Sequence, residues 1–191
     1  MRDLLAAAAA ALALACSGTV AAPAASASDT SSGIPKVIEP PSSYVQLVNR
    51  RSSKCIDVEG FGYDNGANVH QWSCRLDNNS NQRWRFAVAS GQGADRLWYI
   101  VNEHSGKCLD VAEFSTDDGG NVWQWQCNGT ANQRWRIVEP GDGGGTYFTL
   151  VSQNSGKCVD VSDYSVEDGA NIWQWTCHQL YNQQFRIFTA T

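Results

Sequence analysis

The chain has 191 residues, a formal net charge of −5, and charged side chains at 17% of positions. One domain with a real hydrophobic core is the expectation at this length. The acidity argues against nucleic acid and anionic membrane surfaces as main partners.

In chain order, Met1 to Asp3 is a short polar start and Leu4 to Ala15 is an Ala/Leu run too short to span a bilayer. Ala25-Ser26-Ala27 is a small-x-small cleavage site, so residues 1–27 read as a secretory signal peptide cut after Ala27. The competing reading is lipid attachment at Cys16, where Ala13 replaces the larger aliphatic residue usual in lipoprotein signals. Residues 28–43 are rich in Ser and Pro without an apolar period, which predicts a flexible leader. Removing the first segment leaves the net charge unchanged, because Arg2 and Asp3 cancel. The expected product is secreted and extracellular, with no membrane insertion.

From Tyr44 onward the chain repeats itself. Lys-Cys-aliphatic-Asp-Val followed by Trp-x-Cys occurs at Lys54–Val58 with Trp72–Cys74, at Lys107–Val111 with Trp125–Cys127, and at Lys157–Val161 with Trp175–Cys177. The repeats cover about 44–90, 97–139 and 147–188 of a domain at 44–191. Beyond Cys16 six cysteines remain, two per repeat and always 19 positions apart. Six cysteines allow 15 pairings. The repeat selects Cys55 with Cys74, Cys108 with Cys127 and Cys158 with Cys177. Each bond closes a loop of roughly 20 residues, worth about 3 kcal/mol in the chain-entropy model, and an exported destination permits it.

Each repeat opens with a strand-like run, in which Val45/Leu47, Trp98/Ile100 and Phe148/Leu150 share one face by alternation. A second strand carries Cys-x-Asp. Turn dipeptides follow at Asn65-Gly66, Asp118-Gly119 and Asp168-Gly169, and a third strand returns through Trp-x-Cys. The fourth strand places Trp84/Phe86, Trp135/Ile137 and Phe185/Ile187 two apart, as core residues. No stretch has helical periodicity, and the Gly-rich joint at Gly141 to Gly145 separates the second and third repeats. The fold class is therefore all-β, three units of about 50 residues closing on a pseudo-threefold axis, since propellers normally use four or more blades.

If each disulfide joins directly opposed residues, Asp57 falls opposite Trp72, Asp110 opposite Trp125 and Asp160 opposite Trp175, on the disulfide's face. One step further, Glu59 meets His70, Ala112 meets Trp123 and Ser162 meets Trp173. A carboxylate beside an indole suits a neutral sugar: its oxygens accept from adjacent hydroxyls while the aromatic plane covers the C–H face of the ring.

The chain resembles the ricin B-chain type of β-trefoil lectin, including the family-13 carbohydrate-binding modules, over residues 44–188. The family's Gln-x-Trp triplet stands at Gln82-Arg83-Trp84 and Gln133-Arg134-Trp135, and becomes Gln183-Gln184-Phe185 in the third copy. The resemblance implies a β-trefoil: a six-stranded barrel capped by three hairpins, with a shallow sugar pocket on each lobe. It completes the pockets with Asn81-Gln82, Asn132-Gln133 and Asn182-Gln183, although the repeated Gln also has a structural reading as a bridge between backbone groups. The further pocket Gln of the family is replaced here by His70, Trp123 and Trp173. The candidate carbohydrate-binding residues are thus Asp57, His70, Trp72, Asn81 and Gln82; Asp110, Trp123, Trp125, Asn132 and Gln133; and Asp160, Trp173, Trp175, Asn182 and Gln183.

Phe61, Phe114 and Tyr164, each six residues after the first cysteine of its repeat, either form a second wall of the pocket or staple the loop. Gln71, Gln124 and Gln174 stand where an inward apolar residue is expected, and sequence reasoning gives no account of them. His70, His104 and His178 do not recur at equivalent positions, so no metal site and no cofactor are expected. Copies of one carboxylate do not make the differentiated pair a glycosidase uses, so no catalysis is expected either. The reading is a monomeric, secreted lectin whose partner is a polysaccharide or cell-surface glycan. Its rival is a trefoil that engages protein, as an enzyme inhibitor or a toxin's cell-binding subunit.

Overall fold

A computed structural model describes residues 38–141 and 145–189. The expected signal peptide at 1–27, Cys16 within it, and residues 28–37 of the expected leader lie outside the described residues. The last part of that leader is not free of the domain: Ile38 packs against the core and Glu39 pairs with Arg96.

Each repeat supplies four strands. The first has β1 (Val45–Asn49), β2 (Cys55–Val58), β3 (Val69–Trp72) and β4 (Arg83–Ser90). The second has β5 (Leu97–Asn102), β6 (Cys108–Val111), β7 (Gly120–Trp125) and β8 (Trp135–Val138). The third has β9 (Thr149–Ser152), β10 (Cys158–Val161), β11 (Ile172–Trp175) and β12 (Phe185–Phe188). First and fourth strands form a barrel: β1 pairs with β4 and β12, β4 with β5, β5 with β8, and β8 with β9. A bridge between Phe148 and Phe185 closes the ring. Second and third strands form the hairpins β2–β3, β6–β7 and β10–β11, which meet one another to cap one end. This is a β-trefoil. Among the described residues no helix is long and apolar enough to cross a membrane.

The alternating residues expected to face inward do so. Leu47, Ile100 and Leu150 are fully buried, as are Trp84, Trp135 and Phe185. The two indoles also donate Nε1–H to the carbonyls of Ile56 and Leu109, 3.0 Å each, so the buried N–H is satisfied. Phe185 fills the third position without a polar atom.

The unexplained glutamines lock the repeats together. Gln71 donates to the carbonyls of Ser165 and Glu167 in repeat 3, Gln124 to those of Gly62 and Asp64 in repeat 1, and Gln174 to those of Ser115 and Asp117 in repeat 2. Each Oε1 accepts from a serine hydroxyl of its own repeat, Ser52, Ser105 or Ser155, at 2.6 Å. Every amide is thus buried and satisfied at both ends, which is why a polar residue can occupy an inward position. On the axis, Asn68 donates to Asn171, Asn171 to Asn121, and Asn121 to Asn68, at 2.9 to 3.1 Å.

The turn dipeptides sit in these seams. Gly66, Gly119 and Gly169 have φ near +80° (+82, +81 and +83), in a region that only glycine adopts cheaply, and each abuts a tryptophan edge of another repeat. The preceding residue accepts a backbone N–H across the seam: Asn65 from Gln126, Asp118 from Thr176 and Asp168 from Ser73. Asp118 and Asp168 add ion pairs to Lys157 and Lys54 at 2.8 and 2.7 Å. At the third seam Asn65 is neutral and Lys107 Nζ has no partner among the described residues.

Candidate functional site: three carboxylate and aromatic pockets

The three predicted disulfides are present, each with a Cα–Cα separation of 5.1 Å. The expected register is not. Cys55 lies opposite Trp72, and Asp57 opposite His70; likewise Asp110 faces Trp123 and Asp160 faces Trp173. The predicted pairs of Asp57 with Trp72, Asp110 with Trp125 and Asp160 with Trp175 are each displaced by two residues. So are the pairs predicted one step further along. The reason is that the second half-cystine lies beyond the end of its strand and the bridge runs back diagonally. An even displacement keeps every side chain on its face, so the carboxylate and both aromatics still converge.

The consequence is that the residue in the family's further Gln position touches the carboxylate. Trp123 Nε1–H donates to Asp110 Oδ1 at 2.7 Å, Trp173 Nε1–H to Asp160 Oδ1 at 2.8 Å, and His70 Nε2 lies 3.1 Å from Asp57 Oδ1. The next aromatic lies against it, stacked in repeats 1 and 2 and tilted in repeat 3: His70 with Trp72, Trp123 with Trp125 and Trp173 with Trp175 have ring centroids 5.4, 5.2 and 5.1 Å apart. Trp72 and Trp175 are more than a third exposed, so an apolar plane is open to solvent beside a buried acid.

Opposite this plane stands the aromatic of the loop. Gly60-Phe61, Glu113-Phe114 and Asp163-Tyr164 are consecutive left-handed residues, with φ of +54 to +61°. For a non-glycine residue this conformation costs about 1–3 kcal/mol. The bend places Phe61, Phe114 and Tyr164 in the lining of the cavities, while Phe61 also packs edge-on against His104 and Tyr164 beneath Arg51, so these residues both line and staple. The cavities have volumes of about 420, 310 and 180 Å³ in repeats 1, 2 and 3.

Asp57, His70, Trp72 and Asn81 line the first cavity; Asp110, Trp123, Trp125 and Asn132 the second; Asp160, Trp173, Trp175 and Asn182 the third. Gln82, Gln133 and Gln183 do not line them. Each is fully buried beneath its Asp, donating to Oδ2 at 2.8 to 2.9 Å and to a carbonyl, and accepting the backbone N–H of residue 75, 128 or 178. They hold the carboxylate in place. Sequence reasoning missed Arg75, Asn128 and His178, the residues after the second half-cystine, which also line the cavities. Their signal was a difference: at this position the three repeats carry three different residues.

Burial raises the pKa of Asp110 above the ordinary 3.8, against the pull of Gln133, Trp123 and Asn132. It raises that of Asp160 too, against Trp173, Gln183, nearby His178 and Asn182. The described residues contain no cluster of three or more side chains suited to a metal ion.

Three buried carboxylates, each framed by aromatics on a trefoil lobe, define a protein of the β-trefoil lectin class. The model of the ricin-type beta-trefoil lectin domain-like family matches residues 36–94, 80–165 and 140–191, and the chain belongs to that family. Among solved structures, the designed 3-fold symmetric protein ThreeFoil is 42% identical with a TM-score of 0.69, over 76% of this chain and 98% of that one. The exo-beta-1,3-galactanase 1,3Gal43A from Clostridium thermocellum is 36% identical with a TM-score of 0.68, over 78% of this chain and 31% of the enzyme. Serine protease 1 of Rarobacter faecitabidus is 28% identical, over 49% of this chain and 23% of the protease. The chain thus spans about a quarter of that curated relative's length.

Proposed function

We propose that the protein is a secreted, non-catalytic lectin that engages polysaccharide or glycan through its trefoil pockets. The observation that carries this is the repeated pairing of a buried, braced aspartate with an exposed aromatic plane in an open cavity. Family membership and a fold shared with lectins support carbohydrate as the ligand class. Against catalysis, burial shifts the pKa of Asp110 and of Asp160 in the same direction, whereas acid and base roles call for opposed ones.

A single shallow site of this kind binds at about millimolar affinity, near −4 kcal/mol. Several sites on one rigid body raise avidity by roughly 10² to 10⁴ on a polymer. The test is binding of the purified chain to galactan, xylan and laminarin, beside an Asp57→Asn, Asp110→Asn, Asp160→Asn variant whose melting confirms that it is folded. Galactan heads the panel because a galactanase is among the relatives above 30% identity. The expected result is polysaccharide binding by the native chain, lost by at least tenfold in the variant, because a hydrogen bond to a charged group is worth about 1.5–3 kcal/mol. Equal binding by both sinks the pocket assignment, and release of reducing sugar by the native chain sinks the non-catalytic reading.

A further inference from the structure

The three aspartates differ in how many acceptor positions they still offer. A carboxylate has about four lone-pair sites. Asp57 uses all of them: Oδ1 accepts from Asn81 at 2.9 Å and lies 3.1 Å from His70 Nε2, while Oδ2 accepts from Gln82 at 2.8 Å and Arg75 Nη2 at 3.0 Å. Asn81 Oδ1 also accepts from the same Nη2, at 2.9 Å.

Asp110 accepts from Trp123 at Oδ1 and from Gln133 at Oδ2, while Asn132 Nδ2, which donates to the Val111 carbonyl, lies close enough to favour the ionised form of the acid; Asp110 thus has fewer partners than Asp57. Asn128, in the place of Arg75, is tied to Thr130 and leaves the acid alone. Asp160 accepts from Trp173 at Oδ1 and from Asn182 and Gln183 at Oδ2, with His178 Nε2 3.3 Å from Oδ2. Asp160 thus has four neighbours, as Asp57 has, but with a histidine in the place of the arginine.

The pocket of repeat 1 has the opposite need. Arg75 is held over the Phe61 ring, 5.0 Å from Cζ to the centroid, and a third of its side chain (34%) is exposed. Its Nε is buried without an acceptor, and Nη1 makes no hydrogen bond among the described residues. Glu59, exposed at the rim of the same cavity, forms no ion pair with it. A sugar diol entering here finds no free acceptor on Asp57 and a cation short of one.

We infer that the residue after the second half-cystine sets the ligand class of the pocket, so that repeat 1, through Arg75, takes an acidic saccharide while repeat 2, with Asn128 in its place, takes neutral hydroxyl groups. This rests on the lectin reading. The shared chemistry is an anionic oxygen on a sugar, supplied either by a uronate carboxylate or by a sulfate ester. Arg75 Nη1 donates to it, and Trp72 and Phe61 flank the ring.

The test measures binding of the native chain to polygalacturonate, dextran sulfate and the neutral panel of galactan, xylan and laminarin. It is repeated for Arg75→Asn, which copies repeat 2, and for Asn128→Arg, which copies repeat 1; all are checked for native melting. Native binding to an anionic polymer, reduced at least tenfold by Arg75→Asn, is the expected result, and which polymer binds separates carboxylate from sulfate. Freeing Asp57 should also raise the number of sites that titrate with the neutral polymer. Asn128→Arg, on an otherwise native chain, should gain anionic and lose neutral binding, so the inference is testable even if Arg75→Asn folds poorly. Neutral binding by a native chain that ignores both polyanions overturns the inference and leaves the lectin reading standing, as does polyanion binding indifferent to Arg75. Binding of neither class overturns both.

Discussion

The seams between the repeats and the pockets on them are built from the same strands, yet the seams are near copies and the pockets are not. At each seam a glutamine bridges two carbonyls and a serine, and an asparagine joins the axial ring. In each pocket the aspartate and its brace recur, but the residue above it is arginine, asparagine or histidine. A seam amide must satisfy partners in two repeats, so any change strands several buried groups. The residue above the aspartate is partly exposed and has its partners within its own repeat, so it is freer to differ.

The largest effect separating the two regions should come from Gln124→Leu. It leaves the carbonyls of Gly62 and Asp64 and the hydroxyl of Ser105 without their partner, at about 1–3 kcal/mol for each group that water cannot reach. Chemical denaturation should show a loss of at least about 2 kcal/mol, with saccharide binding kept in whatever fraction remains folded. A loss below about 0.5 kcal/mol would mean that the seam is not what holds the repeats together.

Acid should separate the regions next, because their carboxylates shift in opposite directions. At the seams Lys157 pulls the pKa of Asp118 down, and Lys54 and Ser73 pull that of Asp168 down against its partial burial. These two contribute stability that is present above the ordinary value of 3.8 and is lost as pH falls through their lower folded values. Asp110 and Asp160, raised by burial, cost stability when ionised, and that cost is relieved as pH falls through their higher values. On the proposed lectin reading, the ionised form is the one that accepts from sugar hydroxyls. Titration from pH 7 downward should therefore abolish binding at a higher pH than the one at which the seams weaken, and coincident midpoints would refute the opposed shifts.

The smallest effect is expected from Asn65→Asp, which offers Lys107 the ion pair that the other two seams possess. An exposed pair is worth about 0.2–1 kcal/mol, so the gain should be within that range and fade in salt. A loss would show that the neutral seam is preferred as it is.

Much of this was legible in the sequence. The period, the disulfides, the alternating barrel residues and Trp84 and Trp135 in the core all follow from local spacing. The register did not, because a disulfide fixes proximity and not direct opposition: Cys74 lies two residues past Trp72, which takes the place opposite Cys55. Gln71, Gln124 and Gln174 were opaque because their partners lie in another repeat, up to 96 residues away. Phe61, Phe114 and Tyr164 carried no sign of their left-handed backbone, since none is glycine. Arg75 was invisible as a pocket residue because only the folded loop brings its guanidinium onto Asp57.

The cyclic order of the glutamine bridges also governs when the molecule can form. Gln124 reaches back to a loop already synthesised, and so does Gln174, but Gln71 needs Ser165 and Glu167, and β1 needs β12. As the polypeptide emerges from its N-terminal end, the amide of Gln71 and the second edge of β1 wait for the third repeat to arrive. Because the first and third repeats close on each other, folding should be a late, slow event governed by contacts between the two ends of the domain.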